Sequence, residues 1–126
     1  MIKLIIFDLD DTLYDEATFV DSGFKAVANY FSRNFSLNEL KVFRVLKKHF
    51  SQTGRGKVFN NTLADFNLRP TKRIISRAIA VYRRHLPKIK TFTEVKPFLK
   101  KLRRQGIFLA LLTDTRWRVQ ERKVKA

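Results

Sequence analysis

The chain reads as an α/β protein, a small parallel sheet with a bundle of helices inserted between its strands. Three features predict this. Lys3 to Phe7 is a short, nearly unbroken apolar run, Ile107 to Leu112 is another, and the long stretch between them carries helical spacing. Apolar runs bounded by polar residues suit parallel strands covered on both faces, so both are expected as central strands.

The second run follows a helical pattern with Val95, Phe98, Leu99 and Leu102 on one face and Lys100 and Arg104 roughly opposite. Thr93 is its expected N-cap and Gly106 its C-terminal stop. A helix feeding a parallel strand is half of a βαβ unit. In the inserted stretch, apolar residues at helical spacing predict three main helices. They run through Val20, Phe24, Val27 and Phe31; through Leu40, Phe43, Leu46 and Phe50; and through Ile75, Ala78, Ile79, Tyr82 and Leu86. Pro70 and Thr71 mark a helix start and Pro87 a stop, while Gln52 to Lys57 forms a mobile loop before a short helix near Thr62 to Phe66. The expected division is therefore an α/β core from residues 1–15 and 91–126, and a helical insertion over 16–90.

With 126 residues, 44% of them hydrophobic and 30% charged, one soluble globular domain is expected. The absence of Cys excludes disulfides and thiolate metal sites, and two separated His residues do not make a zinc site. The first eight residues are too short and too early in acid for a signal peptide, and no run approaches membrane-spanning length. A cytoplasmic location without a membrane partner follows.

The net charge of +16 predicts an anionic partner or substrate. It is unevenly spread: −3 over residues 1–15, +12 over 16–90 and +7 over 91–126, so an acidic edge lies among basic neighbours. High charge, few Gly and no Cys also fit a heat-adapted protein. The basic insertion raises a competing reading, a nucleic-acid-binding module. Against it, Phe24, Phe31, Phe43 and Phe50 occupy apolar helix faces, and Arg73, Arg77 and Arg84 fall opposite an apolar stripe as a solvated face. No nucleic-acid partner is expected. His49 and His85 stand near helix ends, where a dipole interaction or solvation explains them.

The acidic edge is the most informative segment. The run Leu4-Ile-Ile-Phe7 ends abruptly in Asp8, Asp10 and Asp11, followed by Thr12. Side chains alternate along a strand, so Asp8 and Asp10 project to one side at its carboxyl end, where open α/β sheets bind ligands. Two neighbouring carboxylates suit a hard divalent metal, or a division into nucleophile and proton carrier. An isolated Asp-x-Asp would equally serve to end a strand and cap a turn.

Here Phe7-Asp8-Leu9-Asp10-Asp11-Thr12-Leu13 resembles the first motif of the haloacid dehalogenase (HAD) superfamily, a strand ending in Asp-x-Asp-x-Thr. Ile107-Phe-Leu-Ala-Leu-Leu-Thr113-Asp114-Thr115 is similar to that family's second motif, a hydrophobic strand ending in Ser or Thr. The helical stretch between them resembles the family's inserted cap. The resemblance implies an incomplete Rossmann-like HAD core with an α-helical cap, and hydrolysis of a small phosphorylated metabolite. Asp8 would be the nucleophile forming an aspartyl phosphate, and Asp10 the acid and base. Mg²⁺ would be held by the Asp8 carboxylate and the main-chain carbonyl of Asp10. Thr113, the backbone N–H of Asp114 at the start of the next helix, and Thr12 would receive the phosphoryl group. The dehalogenases of the family lack an acid at the place of Asp10, which favours phosphate chemistry.

Family members continue to a charge-balancing Lys and an acidic cluster that completes the metal site. This sequence shows neither past Thr113; Lys123 and Lys125 fall in the following helix, where the family has surface positions. Feeble turnover is expected from it, the alternative being a catalytically incomplete module. With so small a core, open sheet edges are expected to drive self-association, unless the core leans on its cap or belongs to a longer natural chain. Phe19, Phe24 and the loop around Arg55 and Lys57 are candidates for touching substrate, and Trp117 is expected to pack the last helix.

Overall fold

The structure, a computed structural model, describes residues 1–126. Its elements run β1 (Leu4–Phe7), α1 (Glu16–Phe35), α2 (Glu39–Thr53), α3 (Val58–Asp65), α4 (Lys72–Arg84), α5 (Val95–Arg104), β2 (Phe108–Leu111) and α6 (Trp117–Lys125). The chain divides into two compact units, Met1–Phe19 with Leu86–Ala126, and Val20–His85.

In the first unit, β1 and β2 pair in parallel, Leu4 against Phe108 and Phe7 against Leu111. This is a mixed α/β architecture with a two-stranded parallel sheet. The helix before β2 forms as its apolar stripe requires: Val95 and Leu102 are buried, and Phe98 meets Phe7 edge-on with ring centroids 6.4 Å apart. Gly106 stops the helix at φ +75°, a left-handed geometry that glycine enters without steric cost. The expected cap at Thr93 shifts by one residue; Glu94 occupies the position and makes no side-chain cap bond. The strands are not covered on both faces. Leu4, Ile6 and Phe108 are 52, 56 and 74% exposed, because α5 lies against one side of the sheet only.

The second unit is helical. Phe24, Val27, Phe31, Val42, Leu46 and Leu63 make its core, and Phe24 packs edge-on against Phe50 and Phe59. Asn38 caps α2 by accepting the Lys41 N–H, and Thr71 caps α4 by accepting that of Ile74. Three expectations shift here. Leu40 is exposed, and Val42 with Leu46 forms the inward face of α2. The short helix starts at Val58. The last helix of the unit ends at Arg84, before Leu86, since Pro87 disfavours helical geometry in the residue preceding it. No helix is long and apolar enough to cross a membrane.

Candidate active site

β1 ends at Phe7 and the chain turns at once. The N–H groups of Thr12 and Leu13 both bond back to the Leu9 carbonyl, and Leu9 itself is buried. Asp11 takes φ +57°, a left-handed geometry that Asp tolerates better than most residues. Its Oδ1 then accepts the N–H of Glu16 at 2.9 Å, at the first residue of α1. Asp11 is thus a turn and cap residue.

Asp8 and Asp10 meet different surroundings. Asp8 is exposed and its Oδ1 accepts the neighbouring Leu9 N–H at 2.8 Å. Asp10 turns inward, where three side chains donate to its carboxylate. The Lys123 ammonium lies 2.7 Å from Oδ1, the Tyr14 hydroxyl bonds the same oxygen, and Gln120 Nε2 lies 3.0 Å from Oδ2. The same Gln120 Nε2 donates to Thr113 Oγ1 at 2.5 Å, so one amide joins the end of β1 to the end of β2.

Burial alone pushes the Asp10 carboxyl up, but hydrogen bonds from Lys123, Tyr14 and Gln120, with the ammonium's charge, outweigh it and hold the group below its ordinary 3.8. Tyr14, buried and facing that carboxylate, has its phenol pushed far above its ordinary 10.0, so it stays protonated as a donor.

The other anticipated site residues lie outside this knot. Thr12 is exposed and lines a cavity of about 320 Å³ with Leu13, Val95 and Phe98. Asp114 is exposed, and its N–H does not stand at a helix start: Thr115 turns the chain at φ +76° and α6 begins only at Trp117, with Arg116 as N-cap. Trp117 does not pack the helix; it is 67% exposed, with the Arg118 guanidinium 5.5 Å from its ring. In the helical unit, His49 pairs with Asp65 at 2.9 Å and His85 with Ser22 at 2.8 Å, so both histidines are held by side chains rather than by solvent alone.

Three residues of the knot, Tyr14, Lys123 and Gln120, escaped the sequence reading. Lys123, placed there on the surface, has a side chain only 3% exposed and sits 4.4 Å from the Phe19 ring centroid. Gln120 is 4% exposed. The usable signal was spacing: Val119, Gln120 and Lys123 fall on one helical row of α6, the row that faces inward when a nine-residue helix offers few apolar residues.

The sequence profile of the haloacid dehalogenase-like hydrolases matches residues 5–126. The chain belongs to the haloacid dehalogenase-like hydrolases. Solved HAD structures share its fold. One is a predicted phosphoglycolate phosphatase from Haemophilus somnus 129PT, 21% identical with a TM-score of 0.52, covering 98% of this chain and 57% of its own. A second is a 2-haloacid dehalogenase from Pseudomonas syringae pv. tomato DC3000, 20% identical with a TM-score of 0.51, covering 96% and 60%. A third is a HAD hydrolase from Bacillus subtilis bound to magnesium, 11% identical with a TM-score of 0.55, covering 98% and 57%. The chain therefore spans just over half the length of these proteins. No curated protein matches it.

Against this family background the donor set for a metal is small. No group of three or more acidic or histidine side chains gathers anywhere in the structure. The Asp10 carboxylate is taken up by an ammonium, an amide and a phenol, and does not fit a cation. The exposed Asp8 carboxylate does fit Mg²⁺, which keeps several waters and needs only one or two protein carboxylates beside substrate phosphate.

Proposed function

We propose that this HAD protein hydrolyses a small phosphate ester through Asp8. The observation that carries the proposal is the second acid, Asp10, tied through Gln120 to the Thr113 hydroxyl. Displacement of halide leaves no oxygen to protonate, so a held proton carrier beside the nucleophile suits an oxygen leaving group.

In the first step an Asp8 oxygen attacks phosphorus, the P–O bond to the leaving group breaks, and Asp10 supplies the leaving oxygen with a proton. In the second, water attacks the aspartyl phosphate and passes its proton to Asp10, the bond to Asp8 breaks, and inorganic phosphate departs. As it stands Asp10 is held as a carboxylate, the form the second step uses. The first requires its proton affinity to rise, which follows when the Lys123 charge is shared with an entering phosphate. Mg²⁺, bound by the Asp8 carboxylate and the Asp10 main-chain carbonyl, would supply charge neutralisation between the nucleophile and the phosphoryl oxygens. Thr113 would donate to one of those oxygens.

A second reading is the same fold without effective turnover, self-associating through its sheet, and the small donor set with the bare sheet face favours it. An incompletely balanced phosphoryl site loses several powers of ten in rate, on the order of the 10³–10⁵ that one arginine finger supplies. A phosphatase assay with an aryl phosphate, with and without Mg²⁺, separates the two. Turnover that Asp8→Asn abolishes and chelation suppresses is the expected result; a rate equal in wild type and Asp8→Asn refutes the hydrolase.

A further inference from the structure

The outer face of α5 carries charge of one sign. The helix holds Lys96, Lys100, Lys101, Arg103 and Arg104 and no acid. Val95 and Leu102 turn inward and Phe98 meets Phe7, so the cations collect on the side away from the sheet. There Lys96, Lys100, Lys101 and Arg104, with Pro97 and Gln105, line a groove of about 470 Å³, and all six are exposed. None of the four cations makes an ion pair.

Stability does not account for the cluster. A face that only meets water ordinarily intersperses both signs. Here Lys96 with Lys100 and Lys100 with Arg104, at i and i+4, and Lys101 with Arg104, at i and i+3, set like charges side by side, and each pair weakens the helix. The helix dipole favours Lys101 and Arg104 in the last turn, but Lys96 stands in the first turn, where a cation is unfavourable. The cluster is held against its own repulsion, which an anionic partner would relieve.

The lining decides the kind of partner. At 1.5 Å per residue the row Lys96, Lys100 and Arg104 runs for about 12 Å, the reach of a polyanion rather than of one phosphoryl group. A mononucleotide or a stacked single strand needs an aromatic or apolar wall for its bases, and Pro97 is the only apolar residue in the groove. A membrane surface takes up a helix by its apolar face, and that of α5 is turned to the sheet. Protein interfaces are poor in Lys and built around aromatics. Charge alone suits a duplex, which presents about one phosphate charge per 1.7 Å, about seven over the length of the row.

We propose that the outer face of α5 binds the phosphate backbone of double-stranded nucleic acid without reading its sequence, through Lys96, Lys100, Lys101 and Arg104. The face lies in the α/β unit, whereas the sequence raises nucleic acid only for the basic insertion and expects no such partner. It is separate from the hydrolysis at Asp8.

Fluorescence anisotropy of the full chain with a labelled DNA duplex of arbitrary sequence, from about 50 to 200 mM KCl, tests it. The logarithm of affinity falls against that of salt with a slope of about −3.6 or steeper, about 0.9 for each of four phosphates. Lys96→Gln with Lys100→Gln weakens binding and makes the slope shallower by about 1.8, while Lys96→Arg with Lys100→Arg, which keeps the charge, preserves both. Arg73→Gln with Arg77→Gln removes the same charge from exposed positions of α4 and leaves the slope unchanged. Thermal unfolding checks folding, and Arg104→Gln alone, expected to lower the slope by about 0.9, gives an independent reading. An equal change from the α4 pair assigns binding to the overall charge of the chain and overturns the inference. A slope indifferent to the α5 substitutions, or no binding by wild type, overturns it as well. Displacement of the duplex by poly-glutamate at matched charge overturns it in favour of an acidic protein.

Discussion

Lys123 and Asp10 form a pair largely withdrawn from water, and their separation has a definite pH signature. The side chain of Asp10 is 23% exposed and that of Lys123 3%, so removing the ammonium leaves a largely desolvated carboxylate. Lys123→Met is expected to destabilise the protein by about 3 kcal/mol at neutral pH, the lower end for a broken buried pair, because Asp10 keeps some water. Asp10 has a folded-state pKa below its unfolded value, so its contribution is complete above about pH 4 and fades as pH falls through the lowered value. The gap in unfolding temperature between wild type and Lys123→Met therefore narrows below about pH 4; a gap that widens on acidification would contradict the pairing. Thr62 offers the reverse case. Its hydroxyl is fully buried in the helical unit with no partner, so Thr62→Val, which keeps the shape, is expected to stabilise by about 1 kcal/mol in chemical denaturation.

Among the helices, Gly23 inside α1 looks like a simple gain waiting to be made, since Ala is favoured over Gly in a helix interior by about 1 kcal/mol. The packing forbids it. A Cβ at Gly23 would lie 2.4 Å from the Tyr82 ring, and the His85 ring stands 3.2 Å away. Gly23→Ala is expected to destabilise overall, since overpacking of about 1–3 kcal/mol outweighs the propensity gain, and a raised denaturation midpoint would show that the ring yields. The same level shows what the sequence could reveal. Apolar spacing located the three longer helices of the insertion, because Phe24, Val27, Phe31 and Leu46 are buried at the spacing a helix face demands. It misjudged Leu40 and Leu86, where a helix end and a proline, not periodicity, decide exposure. It also missed the inward row of α6, because Gln120 and Lys123 are polar and periodicity is read from apolar residues. The sequence named Asp10 and Thr113, whereas the amide and ammonium that hold them became visible only once the two strand ends were brought together.

Taken as one object, the chain has an exposed apolar sheet and an excess of positive charge, and these pull in opposite directions. Leu4 stands beside Phe108 in register, both exposed, on a face that parallel sheets ordinarily cover. A second copy meeting the first across this face would bury it, while the +16 charge on each copy resists the approach. Added salt screens that repulsion, with a Debye length of about 3 Å at 1 M against about 10 Å at 0.1 M. Apparent mass in sedimentation is expected to rise with salt, and Leu4→Thr with Phe108→Thr to abolish the rise. Binding to nucleic acid would show the opposite salt dependence.

Trp117 gives the chain an optical indicator of its own. It is the single tryptophan, exposed to solvent, and it opens the short helix that carries Gln120 and Lys123. Emission from its indole is therefore red and open to quenchers, with iodide drawn in by the surrounding arginines. A phosphate that draws on the Lys123 charge, six residues further on, would shift that quenching without any label attached.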